Sequence, residues 1–290
     1  MQATAGAANP IRDVSDTALW VAVYRAMESE RADALFNDPY ARRLAGERGQ
    51  NIVDAMPKGK AMAWPMIVRT AVMDELILQC VREGAASVLN LAAGLDTRAY
   101  RLDLPAGLRW YHVDFPPMVD YVRDNMDGEL PRCILQYVPA DLREPAQRDG
   151  IFREAAAHGP VLVITEGLLV YLPPENVAEL AMALRTAAAA KWWVSDIGTP
   201  LLLKRLSKTW LGRLRDGNAP FLFAPADAAA FFNPLGWRET TFRSSWTESL
   251  RLNRHVRFAG FWNFLMKLSP KPERDAAIRM SGITLMQPVD

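Results

Sequence analysis

The chain has 290 residues, half of them apolar, with 34 basic against 33 acidic side chains. That supplies a core for one large α/β unit, and a net charge of +1 leaves no electrostatic footprint for nucleic acid or an acidic membrane. Two cysteines and three scattered histidines form neither a disulfide framework nor a metal cluster, and no run of about 18 apolar residues predicts a membrane span.

Residues 1–13 are small and polar and carry no apolar core of signal-peptide length. From Ser15 the pattern turns helical, with Ala18, Leu19, Ala22, Val23 and Met27 at helical spacing. Pro39 ends one segment and starts another over residues 40–46. Residues 69–83 read as an amphipathic helix that delivers the chain into Ser-Val-Leu-Asn-Leu at 87–91. That run is a buried strand, followed by Ala92, Ala93 and Gly94 and then by Asp96 and Thr97, which suit a helix start. Small residues past such a strand let a ligand approach the backbone beside a helix N-terminus. The turn fits neither phosphate-loop nor dinucleotide glycine patterns, because Ala92 and Thr97 stand where two of the glycines would be.

Further strands are predicted over 108–115, 133–140, 160–164, 191–197, 237–243 and 282–289. Helical stretches fall between them, including 174–190, 199–216 and 224–233. Strands alternating with helices give a parallel sheet covered on both faces. Residues 258–268 are rich in aromatics, which predicts burial. Acids recur where strands end: Asp96, Asp114, Asp141, Glu166 and Asp196. Clustered on one sheet edge, they would repel polyphosphates and suit a hydroxyl-rich, cationic nucleoside. Asp114 follows Gly94 by 20 residues, where an acid can accept from ribose hydroxyls.

Leu91-Ala-Ala-Gly-Leu-Asp-Thr-Arg-Ala-Tyr-Arg-Leu102 resembles the signature of the leucine carboxyl methyltransferase family. The opening Ser15-Asp-Thr-Ala-Leu-Trp-Val-Ala-Val-Tyr-Arg, Asp38-Pro-Tyr-Ala, Asp141-Leu142 and Glu166-Gly-Leu-Leu-Val-Tyr-Leu are similar to its bacterial branch, which includes tetracenomycin-type polyketide O-methyltransferases. The resemblance implies a seven-stranded Rossmann-like α/β methyltransferase sheet, mostly parallel with the last strand antiparallel, and an N-terminal helical lid. The lid would span 1–84 and the core 85–290, with a helical insertion at about 199–220. The cofactor would be S-adenosyl-L-methionine, leaving as S-adenosyl-L-homocysteine.

Carried over residue by residue, Arg69 would meet the methionine carboxylate of the cofactor, and Ala92, Ala93 and Gly94 would line its backbone seat. Asp114 would hold the ribose, with Phe115 beside it, while Asp141 and Leu142 would flank adenine. Glu166 and Gly167 would face the methionine amino group. Tyr24, Arg25 and Tyr171 would shape the acceptor site, and His112 is the candidate base. No metal is expected. The implied reaction is O-methylation of a carboxyl or hydroxyl group on a hydrophobic, polyketide-like small molecule of secondary metabolism. Alternatives are a protein C-terminal carboxyl methyltransferase and a non-catalytic cofactor-binding protein. The expected form is a cytoplasmic monomer or homodimer without nucleic-acid or membrane partners.

Overall fold

The first predicted strand, β1 (Ser87–Leu91), is buried along its whole length, as its unbroken apolar run requires. In a computed structural model, which describes residues 15–56, 59, 63–206 and 220–289, it occupies the middle of a seven-stranded sheet. The other strands are β2 (Arg109–Asp114), β3 (Ile134–Pro139), β4 (Val161–Thr165), β5 (Ala190–Gly198), β6 (Trp237–Ser244) and β7 (Ser281–Pro288). Their order is β3-β2-β1-β4-β5-β7-β6. β1 to β5 pair in parallel, and β7 runs antiparallel to both β5 and β6. Strand order therefore reverses between β1 and β4. In an open α/β sheet a crevice opens at that point, outside the carboxyl ends of the strands.

Three N-terminal helices precede the sheet: α1 (Ser15–Ser29), α2 (Ala41–Ala55) and α3 (Trp64–Arg82). Helix α2 is two helical segments joined at Gly46, so the predicted end at 46 stands, and the second segment carries the buried Ile52 and Val53. Gly46 absorbs a kink at φ 57° that a side chain would oppose. These helices do not form a core of their own. Ala22, Val23 and Leu44 join Val88, Trp110, Ile164 and Val194 in one apolar cluster over one face of the sheet. The other face packs Leu89, Val163 and Trp193 against the helix Pro174–Thr186 and Trp237. The predicted helix at 199–216 is seen as Pro200–Leu206, and its continuation lies outside the described residues.

One expectation fails outright. The aromatic run at 258–268 is not core: Ala259–Leu268 is a helix whose large apolar side chains face solvent.

The turn after β1 is tightly wound. Ala92 takes φ 51° and Gly94 φ 53°, and the Ala93 amide donates to the Val113 carbonyl at 3.1 Å. A left-handed conformation costs an L-residue roughly 1–2 kcal/mol, whereas glycine there costs roughly 0.5–1 kcal/mol of chain entropy. Ala92→Gly should therefore leave stability equal or raise it by up to about 1 kcal/mol, and Ala92→Val should lower it by about 2 kcal/mol. Urea denaturation of the two variants checks both signs. At Gly94 a Cβ would stand 3.2 Å from the Cβ of Ala18, so α1 rests directly on the turn.

Candidate active site

The carboxyl ends of β1 to β5 bring the five strand-end acids to one edge, as the alternating pattern predicts. They are not, however, a bare acidic rim. Arg98, two residues past Asp96, is 2% exposed and reaches three carboxylates at once: Asp74 at 2.6 Å, Asp96 at 2.7 Å and Glu166 at 2.6 Å. Arg101, one turn later, pairs with Asp74 at 2.7 Å. Arg69 on α3 stands between Glu166, at 3.0 Å, and Asp196, at 2.9 Å. Burial disfavours these charges, but Arg98 and Arg69 outweigh it and hold the Glu166 carboxyl below its ordinary range. Arg98 and Arg101 do the same for Asp96 against the same penalty.

The network continues into α1. Arg25 donates through Nε to Asp38 at 2.8 Å and through a terminal nitrogen to the Leu95 carbonyl at 2.5 Å. Asp38 also accepts from the Thr97 hydroxyl at 2.7 Å. Arg25 thus ties α1 to the turn after β1, and its polar atoms face the protein rather than an acceptor. Tyr24 is equally enclosed. Its hydroxyl donates to the Gly59 carbonyl at 2.8 Å, and burial pushes its pKa up to about 12. Both residues therefore hold α1 in place, with their polar atoms bonded to protein groups.

Asp114 ends β2 with its carboxylate turned onto the loop. One oxygen accepts from the Gly94 amide at 2.7 Å and the other from the Phe115 amide at 2.7 Å. Burial raises this carboxyl, and the two amides offset part of the rise. The Phe115 ring stays half exposed, and the Arg143 guanidinium lies 5.6 Å from its centre. Arg143 also chelates Asp141, through contacts of 2.9, 3.1 and 2.6 Å, and holds that carboxyl below its ordinary range. Leu142 is half buried against the core below. Gly167, at φ 66°, donates its amide to Asp196 at 2.7 Å, and a Cβ there would come within 3.4 Å of Arg69.

Tyr171 closes the edge from the β4 side. Its ring packs edge-on to Phe221 at 5.4 Å, in an apolar cluster with Ile52, Met56, Leu19 and Trp20. Its hydroxyl bonds Thr17 of α1, and burial raises its pKa.

His112 must be withdrawn as a base. It is buried beneath the turn, with Nε2 3.2 Å from the Gly94 carbonyl and its ring against Tyr137 at 5.2 Å. Burial pushes its pKa down to about 4, so it is neutral near pH 7 and shielded from any acceptor. This gives a sign for acid stability. Below the ordinary 6.5 the unfolded chain takes up a proton that the folded chain refuses, so stability falls as pH drops from 6.5 towards 4. The share from His112 should reach on the order of 3 kcal/mol. An NMR titration of the imidazole resonances checks it, and a folded value near 6.5 would contradict it.

The structure thus brings Arg69, Ala92, Ala93, Gly94, Asp114, Glu166 and Gly167 to one edge, with Phe115, Asp141 and Leu142 extending it past β2. It leaves Tyr24, Arg25 and His112 behind it as support. Sequence reasoning missed the buried cations Arg98 and Arg101. Their signal was two arginines three apart just after Asp96 and Thr97. Asp74 and Asp38 carried no comparable signal. One cavity of about 340 Å³ opens among Leu35, Phe36, Asp74 and Arg101, and none of Gly94, Asp114 or Glu166 lines it. Among the described residues no His, Cys, Asp and Glu group could hold a metal, and no helix is long and apolar enough to cross a membrane.

The residues of this edge suit an amino-acid nucleoside. Arg69 Nε is buried and lies 3.0 Å from Glu166 without a hydrogen bond to it, so this guanidinium has a donor left to place. Glu166 is an acceptor for an ammonium, Asp114 for a diol, and the exposed Phe115 ring is a face for a base.

Comparison with known proteins agrees. Residues 18–185 match the model of the leucine carboxyl methyltransferase family. A Frankia alni protein described as a candidate S-adenosyl-L-methionine-dependent methyltransferase is 32% identical over 243 residues, covering 78% of this chain and 83% of its own. A Mycobacterium tuberculosis protein described in the same terms is 37% identical over 206 residues, covering 65% of this chain and 67% of its own. The crystal structure of a candidate methyltransferase from Thermobifida fusca superposes with a TM-score of 0.58 at 16% identity. That match covers 97% of this chain and 96% of the other, a likeness of fold.

Proposed function

The chain belongs to the leucine carboxyl methyltransferase family, and from that premise we propose that it moves a methyl group from S-adenosylmethionine to an oxygen of a hydrophobic small molecule. Methyltransferase chemistry and the cofactor follow from the family. The acceptor atom, its carrier and the roles of individual residues are our proposal.

S-adenosylmethionine supplies a methyl group on a positively charged sulfur. The protein's part is alignment and exclusion of water. Arg69 anchors the cofactor carboxylate, which requires it to loosen its hold on Asp196. Glu166, kept ionised by Arg98, receives the ammonium. Asp114 takes the ribose hydroxyls while still bracing the Gly94 amide, and Phe115 supports the base beside Asp141 and Leu142. Tyr171 forms part of the acceptor wall. Arg25 and Tyr24 keep α1 down on the turn, so water is shut out.

The observation that carries the acceptor class is the apolar cluster of Trp20, Ile52, Met56, Tyr171 and Phe221, whose Tyr171 feels the charge of Arg69. Such a wall suits a flat, apolar ring system of polyketide type. Among the described residues neither His112 nor Tyr171 is shifted towards neutral pH, which fits a carboxylate or an acidic phenol as acceptor. A carboxylate needs no base, and a phenol beside fused rings ionises readily.

A methyl-labelled cofactor tests this against a panel of aromatic carboxylic acids, polycyclic phenols and peptides with free C-termini. Label on acids or phenols supports the proposal. Label only on peptides would replace it with protein carboxyl methylation, and binding without any transfer would favour a cofactor-binding protein.

A further inference from the structure

Helix Ala259–Leu268 is oriented the wrong way round for a soluble domain. Ala259 is buried, and Asn263 accepts from the Trp246 indole at 3.4 Å, so the small and polar positions face the body. Phe261, Trp262, Phe264, Leu265 and Leu268 are all exposed, from 38% at Leu265 to 68% at Leu268. At about 100° per residue these five cover an arc about 160° wide. Phe258, 66% exposed and held at φ 63°, extends the patch at the helix start. An apolar patch of this kind on a soluble protein marks a surface that meets something.

Charge says what it meets. No aspartate or glutamate occurs between Glu248 and Glu273. In that interval Arg251 and Arg254 are occupied by Glu248 and Glu28. Arg257, Lys267 and Lys271 are exposed and enter no ion pair among the described residues, and Arg257 lies 4.8 Å from the Phe258 ring. Tryptophan and phenylalanine on one face, with lysine and arginine at the margins, are what an interfacial helix presents to anionic lipid. A second copy of the chain fits worse, because a two-fold contact would set these cations against their equivalents without an acid to receive them. We propose that helix Ala259–Leu268 docks the protein peripherally on an anionic lipid surface. The near-zero net charge of the whole chain hides this local cationic margin. The proposal is independent of the acceptor discussed above.

Sedimentation of the full chain with vesicles tests it, using equal parts phosphatidylglycerol and phosphatidylcholine against phosphatidylcholine alone. The expected result is binding to the anionic vesicles that weakens with added salt, and little binding to the neutral ones. Phe261→Ser, Trp262→Ser and Phe264→Ser together should lower the bound-to-free ratio at least about tenfold. S-adenosylmethionine affinity should not change in that variant, which shows that it folds. Lys267→Glu with Lys271→Glu should abolish the preference for anionic lipid. Failure to sediment with either vesicle, or binding unmoved by the triple variant, would overturn the proposal. So would a dimer that the triple variant dissociates, found without lipid binding, which would make this face a self-association surface.

Discussion

Arg98→Ala should destabilise the protein by about 3–5 kcal/mol, the cost of removing one partner from a buried ionic network. The guanidinium is nearly inaccessible and sits within 2.7 Å of Asp74, Asp96 and Glu166, which belong to three different parts of the chain. Without it, three carboxylates face one another in a poorly solvated space, with Arg101 and Arg69 as the remaining cations nearby. Coulomb repulsion then adds to the desolvation already present. Arg98→Lys should recover only part of the loss, because an ammonium cannot reach three acids in a fixed plane. Urea denaturation monitored by tryptophan fluorescence measures both. A loss below about 1 kcal/mol in Arg98→Ala would mean that the network is spare rather than structural.

The largest functional loss is expected at Asp114. Its two oxygens hold the Gly94 and Phe115 amides, each at 2.7 Å. Asp114→Ala therefore removes the proposed ribose acceptor and releases the turn proposed to seat the cofactor. Hydrogen bonds to a charged group are worth roughly 1.5–3 kcal/mol, so the Kd for S-adenosylmethionine should rise on the order of a hundredfold. Asp114→Asn, which keeps an oxygen for one of the amides, should lose less. Titration calorimetry separates the two, and an unchanged Kd in Asp114→Ala would remove this residue from the site.

Much of the frame was legible in the sequence because buried parallel strands are nearly continuous apolar runs. β1 and its turn stand where predicted, and β2 is one residue shorter than predicted at each end. The strand-end acids could also be placed, since strand direction alone puts them on one edge. Their neutralisation could not be read. Arg98 and Asp74 are 24 residues apart, and Arg98 and Glu166 are 68 apart, so no local pattern reports the pairing. The same limit explains Tyr24 and Arg25. Polar side chains on an N-terminal helix suit a substrate as well as a clamp, and only the positions of Gly59, Asp38 and Leu95 decide for the clamp. The helix at 259–268 failed for the opposite reason. Aromatic content predicts burial on average, but which face of a short helix meets the body is set by Trp246 and the surrounding chain.

One sheet edge, from the Ala92 to Gly94 turn across to Arg69 and Glu166, is the proposed seat of the cofactor. A crystal structure of the protein with S-adenosylhomocysteine bound tests that most directly. The expected result has the ligand carboxylate on Arg69, its ammonium on Glu166 and its ribose hydroxyls on Asp114, with the Asp196 contact to Arg69 lengthened or lost. A ligand seated elsewhere, with Arg69 still paired to both Glu166 and Asp196, would contradict it.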